Sequence, residues 1–294
     1  MAYYSNNPAN FDTARSLTED EMRRLAPSIF AVEAHESRSD RFKPIPTIEI
    51  IRGLQQEGFM PVAVKQSRAR DEGKAEFTKH LIRLRRIEDD AKYQVGDNVC
   101  EINLKNANDG SSAYDLMAGL FRIRCRNSLV SQTATLDSVK VRHSGDALAK
   151  VIEGTYRVLG EAQNLLAAPQ DWGKIVMGAD AKMALAEAAH VLRFGDANGE
   201  THTAIKPTQL LTARREGDTG NDLWTVFNVT QEACLKGGLS ARPAGYRDAA
   251  GIWHPARTTT SREVKGVDQD VKLNKALWVL GERMAQIMGQ AKAA

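Results

Sequence analysis

Apolar residues recur with two different periods along this chain, and the switch between them divides it. Up to about residue 59 the spacing is helical. Thr18 precedes Met22, Leu25 and Ala26, with Glu21 three residues on, which is capping-box spacing. That helix is expected to end before Pro27, because the residue ahead of a proline avoids helical backbone angles. His35 to Arg41 reads as a charged loop. Thr47 stands as an N-cap before Ile48, Ile51 and Leu54, and Gly58 as the stop.

From Met60 the period drops to two. Val62 and Val64 alternate with Ala63 and Lys65, a strand pattern, and 69–75 is a solvated turn. Phe77 to Ile87 alternates again and predicts a second strand paired to the first. Val99 to Leu104 predicts a third. Asn106 to Ser112 holds Asp109-Gly110, a pair that supplies the positive φ of tight hairpins. Ala113 to Met117, Leu120 to Arg126 and Val139 to His143 continue the sheet. Residues 60–143 therefore read as a mainly antiparallel, hairpin-rich sheet.

After Asp146 the helical period returns. Leu148, Val151, Ile152, Thr155, Val158, Leu159 and Ala162 share one face of a long helix, expected to end before Pro169. Further helices are expected over Ala179–Phe194, from Pro207, around Trp224 to Cys234 with Gly237-Gly238 as its close, and from Asp268 to Gln290. Leu239 to Lys265 is rich in Gly, Pro, Thr and Arg without a period. That is long for a structureless loop in a compact domain. The expected fold is α+β. A helical lead-in covers 1–59, a β-sheet plus long-helix core 60–168, and a mainly helical region 169–294 with a basic loop at 239–265.

Composition narrows the classes without naming one. Hydrophobic residues are 42% and charged residues 26% of 294, which excludes collagen-like and wholly disordered chains. No apolar run approaches the roughly 18–20 residues of a membrane span. Met1 to Asn10 lacks the apolar stretch of a signal peptide. Cys100, Cys125 and Cys234 are too few and too widely spaced for a disulfide framework or a zinc knuckle, so a reducing cytoplasm is the expectation. Lys plus Arg number 40 against 37 acids, a net +3, so only the placement of charge is informative.

Charge is concentrated in two places. Lys65, Lys79, Arg83, Arg85 and Arg86 lie in the first hairpin, and Arg122, Arg124 and Arg126 share one parity of a later strand. Residues of equal parity line one sheet face, so these side chains can form a stripe that tracks phosphates. The competing reading pairs them with nearby acids such as Asp71, Glu72, Glu88, Asp89 and Asp90. The second cluster is Arg242, Arg247, Arg257, Arg262 and Lys265, with Tyr246 and Trp253 between them. Bases stack on such aromatics. The competing reading tucks the aromatics onto the domain. The six histidines have no metal-binding spacing, Glu200-Thr201-His202 included. No nucleophile elbow and no phosphate-binding glycine loop occurs, so no catalytic residue, metal or cofactor is expected.

Several segments together resemble a known family. Asn108-Asp109-Gly110-Ser111-Ser112 followed by Ala118-Gly119-Leu120-Phe121-Arg122-Ile123-Arg124-Cys125-Arg126-Asn127-Ser128-Leu129 is similar to the core motif of the phage- and plasmid-borne domain-of-unknown-function family numbered nine hundred and thirty-two. Trp224 to Glu232, Gly237-Gly238 and Asn274 to Trp278 are similar to it as well. Arg124 stands where that family more often carries an apolar residue. The resemblance implies a mobile-element setting and no particular activity. A looser architectural similarity, of a hairpin-rich sheet crossed by a long helix, is to single-strand annealing proteins of the RecT and Redβ type. It implies a non-catalytic protein that holds and anneals single-stranded DNA in phage or plasmid recombination, as a ring or filament of identical subunits. Phosphate contacts are expected from Lys65, Lys79, Arg83, Arg85, Arg86, Arg122, Arg124 and Arg126, with Arg257 and Arg262 as a clamp. The alternatives are an anti-defence or regulatory protein that binds a host protein, and a metal-dependent DNA-processing enzyme.

Overall fold

The computed structural model describes residues 16–33, 46–67, 76–86, 98–109, 111–123, 130–142, 146–161 and 163–293. Side chains are described at all of these except 122–123, 130–138, 161, 163–166 and 290–293. The chain divides into two compact units, 1–166 with 265–268, and 167–264 with 269–294.

The first unit is built on a five-stranded antiparallel meander, β1 (Phe59–Gln66), β2 (His80–Arg86), β3 (Asn98–Asn106), β4 (Tyr114–Ile123) and β5 (Val130–Val141), in that spatial order. The two stretches expected around Gly119 are one continuous strand. Three α-helices accompany the sheet: α1 (Glu19–Leu25), α2 (Thr47–Gln56) and α3 (Ala147–Glu161). The capping box of α1 forms, with Thr18 and Glu21 each serving the other's backbone. Thr47 does not cap α2. It is the first helical residue after Pro46, and its hydroxyl bonds His80 Nε2 at 3.0 Å and Asn106 Nδ2 at 2.9 Å. His80 is thereby a satisfied interior histidine, with Ser28 Oγ 2.8 Å from its Nδ1.

Alternation sorts the sheet residues onto two faces. Ile82, Leu84, Ile102, Leu104, Leu116 and Leu120 are fully buried on one of them, with Ile51, Leu54, Val151 and Val158 of the helices also in the core. Helix α3 crosses closely at Gly154. A Cβ there would lie 2.9 Å from Leu116 Cδ1 and 3.0 Å from Val139 Cγ1. At about 25 cal/mol per Å² of apolar surface, this burial is the main stabilising term of the unit.

The second unit is helical. It holds the C-terminal part of α4 (Gln163–Trp172), then α5 (Ala179–Phe194), α6 (Leu223–Lys236) and most of α7 (Val267–Ala293). The long helix ends before Pro169 as expected, since α3 stops at Glu161, but Pro169 itself lies inside the next helix, α4. Trp172, three residues on, anchors the last turn. Its ring stacks on Trp278 at 4.6 Å and meets Phe227 and Trp224 edge-on at 5.3 and 6.1 Å. Packing of that size offsets the missing proline hydrogen bond. Asp222 caps α6, and Gly237 with φ +62° closes it. No helix among the described residues is long and apolar enough to cross a membrane.

Candidate nucleic-acid interface

The first basic cluster is largely turned inward. Lys65, Arg83 and Arg85 share the sheet face opposite the aliphatic one, together with Glu101, Asn103, Lys105 and Asp115. Lys65 and Arg83 are 1% and 5% exposed, so neither presents its charge to solvent. Glu101 is completely buried between the two arginines. Arg83 Nε donates to Oε2 at 2.6 Å and Arg85 Nε to Oε1 at 2.9 Å. The Arg83 guanidinium also lies 3.7 Å over the Phe121 ring. Burial alone would push the Glu101 carboxyl up. The charges and hydrogen bonds of Arg83 and Arg85 outweigh it and hold the group below its ordinary value. Lys79 donates to Asp268 at 2.5 Å, and Lys105 to Asp115 at 3.1 Å.

An open stripe over Arg83 and Arg85 is therefore not what forms. A guanidinium taken out of water needs a carboxylate, and the neighbouring strand supplies Glu101. Position 122 pairs with Asn98 along the backbone, and β3 separates β4 from β2; the side chain of Arg122 lies outside those described. Arg86, at the end of β2, is exposed and makes no side-chain hydrogen bond or ion pair among the described residues. Arg124 and Arg126 lie outside the described residues. The arginine row was legible in the sequence, but its partners were not. Glu101 sits in an alternating run where its parity matches Asn103 and Lys105, and only the register shows which strand it faces. The same face leaves Arg83 Nη2, both amide atoms of Asn103 and Asp115 Oδ1 buried without hydrogen-bond partners. A bound water or polar ligand would satisfy these groups.

The second cluster stands out from its unit. Residues 239–261 fold into a β-hairpin arm with two tiers. At its base β6 (Ser240–Ala241) pairs with β9 (Thr259–Thr260), and further out β7 (Tyr246–Arg247) pairs with β8 (Trp253–His254). Asp248 makes the tip. Its carboxylate accepts from the backbone of Ala250 and Ile252 at 3.0 and 2.9 Å and from His254 Nε2 at 2.7 Å, and Gly251 supplies φ +77°. The His254 hydrogen bond and the two backbone donors hold the Asp248 carboxyl below its ordinary value. Tyr246 stacks on His254 at 5.1 Å, yet 64% of Tyr246 and 53% of Trp253 stay exposed. Arg247 lies 5.9 Å over Trp253. Arg257 and Arg262 are exposed and have no side-chain partner among the described residues. The aromatics are thus presented rather than tucked in, because each strand of so narrow a ribbon has a neighbour on one side only.

Asp196, Glu200 and His202 are the grouping of possible metal ligands among the described residues. All three are exposed, and Asp196 already accepts from the backbone of Asn198 and Glu200 at 2.8 and 3.0 Å, the bonds of an ordinary turn.

The family described as "Domain of unknown function (DUF932)" matches residues 34–278. The chain belongs to that family. Two proteins of Escherichia coli (strain K12), UPF0380 protein YafZ and UPF0380 protein YfjQ, are 42% identical to it over 271 and 272 residues, which is 92% of this chain and 92% of each relative. No solved structure matches. The DUF932 match spans the whole sheet, α3 and the arm. The segments that resemble the family in the C-terminal half serve packing here. Gln231 Nε2 donates to Asn274 Oδ1 at 2.7 Å, and Asn274 Nδ2 to Asp270 Oδ1 at 2.6 Å, all three buried. Glu232 accepts both Nη groups of Arg215 at 2.7 and 2.8 Å.

Proposed function

We propose that this protein binds single-stranded DNA without catalysis, and holds strands for annealing during phage or plasmid recombination in the cytoplasm. The observation that carries this reading is the arm. Tyr246 and Trp253 offer exposed ring faces, flanked by Arg242, Arg247, Arg257 and Arg262. Stacking on such rings is worth about 1–3 kcal/mol per base and tolerates any sequence, while arginines neutralise the backbone. Arg86 and the sheet edge add charge in the first unit. Arg83, Arg85 and Lys65 belong to the interior in this reading. Assembly into a ring or filament of identical subunits is part of the proposal, and light scattering with and without oligonucleotide tests it.

The experiment is fluorescence anisotropy of a labelled single-stranded oligonucleotide at two salt concentrations, with duplex in parallel. Salt-sensitive binding that prefers the single strand is expected. The double substitution Tyr246→Ala and Trp253→Ala should weaken it by about tenfold or more, since 1.4 kcal/mol is a factor of ten. No binding at low salt, or unchanged affinity in the double variant, overturns the reading. One observation favours a second reading, docking on a host protein: Ile252 at the tip is 59% exposed beside Trp253. That reading expects no oligonucleotide binding.

A further inference from the structure

The arm of the second unit has two faces, and the register divides its aromatic side chains between them. In an antiparallel pair, directly opposed residues point the same way, and their neighbours along each strand point the other. Tyr246 is opposite His254, and Arg247 is opposite Trp253. Tyr246 and His254 therefore stand on one face, and Arg247 and Trp253 on the other. Each ring is set by its own side of the ribbon. On the first face the Tyr246 ring lies against His254, inclined by 20°, and His254 is held in turn by Asp248. On the second face the Trp253 ring reaches across to Gly245, where a Cβ would collide with it. Both rings remain more than half exposed. The charge around them is of one sign. Residues 239–262 contain four arginines and a single acid, Asp248, a formal +3 that equals that of the whole chain. Asp248 is engaged by His254 and by the backbone of the tip. Arg242 Nε donates to the carbonyl of Ala256 at 3.1 Å, and Arg247 Nη1 to that of Gly251 at 2.8 Å. A carbonyl orients a guanidinium without neutralising it, so the arm keeps its charge in a fixed arrangement.

We infer that the arm holds two bases of one DNA strand, one stacked on Tyr246 and the other on Trp253, with the strand passing round an edge of the ribbon. This rests on the function proposed above and specifies what its site takes: a flexible single strand long enough to reach both faces. Strands β7 and β8 pair only with each other, so both long edges of the ribbon are open to a phosphate chain. Guanidinium groups held by carbonyls suit the phosphates, and exposed ring planes suit the bases. Bases inside a duplex are stacked on one another and out of reach of either ring. The tip and two of the arginines are fixed before binding, so little ordering cost opposes it.

The test is a double-mutant cycle on the full chain, read by the affinity for labelled oligothymidylate. Tyr246→Ala and Trp253→Ala are each expected to weaken binding about tenfold, and the double variant about a hundredfold, because rings on opposite faces that share no base contribute independently. Tyr246→Phe and Trp253→Phe keep a ring in place and should keep most of the affinity, which separates stacking from damage to the arm. Oligonucleotides carrying iododeoxyuridine should give photo-crosslinks to both Tyr246 and Trp253. A double variant no weaker than the weaker-binding single variant would mean that the two rings serve one base. That result, or crosslinks confined to one ring, overturns the two-faced arm while the proposed function stands. Competition by polyglutamate as effective as that of unlabelled oligothymidylate would show that the arm reads charge alone, and would overturn stacking on either face. If wild type binds no oligonucleotide at low salt, the inference and the proposed function fall together.

Discussion

Glu101 decides whether the basic row on the sheet is architecture or binding surface. Its carboxylate is completely buried and accepts from Arg83 and Arg85, and Arg83 is itself 5% exposed. Glu101→Gln keeps the shape but removes the charge, leaving two guanidinium groups in the interior without a counter-ion. Breaking a buried pair in this way costs about 3–5 kcal/mol. For a unit the size of 1–166 with 265–268, each kcal/mol moves the melting temperature by about 2–4 °C, so the midpoint of that unit should fall by roughly 6–20 °C. Differential scanning calorimetry reads this directly, because two units can melt separately. Exchanging the three together, Arg83→Met, Arg85→Met and Glu101→Leu, should restore most of the loss, since apolar isosteres often replace buried ion pairs at little cost. A loss under about 1 kcal/mol for Glu101→Gln would refute the reasoning. It would mean that Arg83 and Arg85 meet water in solution, and they would return as candidate phosphate contacts.

The pH dependence of the same group has a definite sign. The folded-state value of Glu101 lies below its ordinary 4.5, so its contribution is fully present above that value and is lost as pH falls through the folded one. Acid unfolding of wild type should show this loss, and Glu101→Gln should flatten the acid limb. Gly119→Ala should destabilise the sheet by about 1–3 kcal/mol. Its Cβ would lie 2.6 Å from both Asn103 Nδ2 and Phe121 Cε2, and urea titration measures the effect. Trp278→Ala removes the ring stacked on Trp172 and should cost the helical unit about 3–5 kcal/mol, visible as a separate early transition. Burial pushes the Cys100 thiol up to about 11 and Cys234 up to about 12. In a Cys125→Ser background both should resist a thiol reagent at pH 8 until denaturant is added, and rapid native labelling would contradict their burial.

Period carried much of the architecture. The alternation over residues 60–143 is a five-stranded antiparallel meander, and the helical stretches at 18–26, 147–159, 179–194 and 223–236 are helices, the first with the Thr18 capping box and the last closed at Gly237 as their residues suggest. Where the local rule failed, a long-range contact had outweighed it. Pro169 continues a helix because Trp172 is held by Trp278 and Phe227. Thr47 gives up a cap to bond His80 and Asn106 from two strands. Residues 239–265 show no period because the arm is a narrow ribbon without a core face, so nothing selects for apolar alternation.

What the sequence determines alone is the kind of element at each place and the parity of each side chain, since both depend on neighbours within a few residues. It also carries enough similarity to place the chain among its relatives. Which charges meet is a different matter. Arg83 and Arg85 read as a surface row until β3 sets Glu101 beside them. Parity fixes a face but not its cover, and a helix stripe fixes a direction but not what lies there. Register and helix placement are decided by the packing of the whole unit, and the fate of every buried charge follows from them.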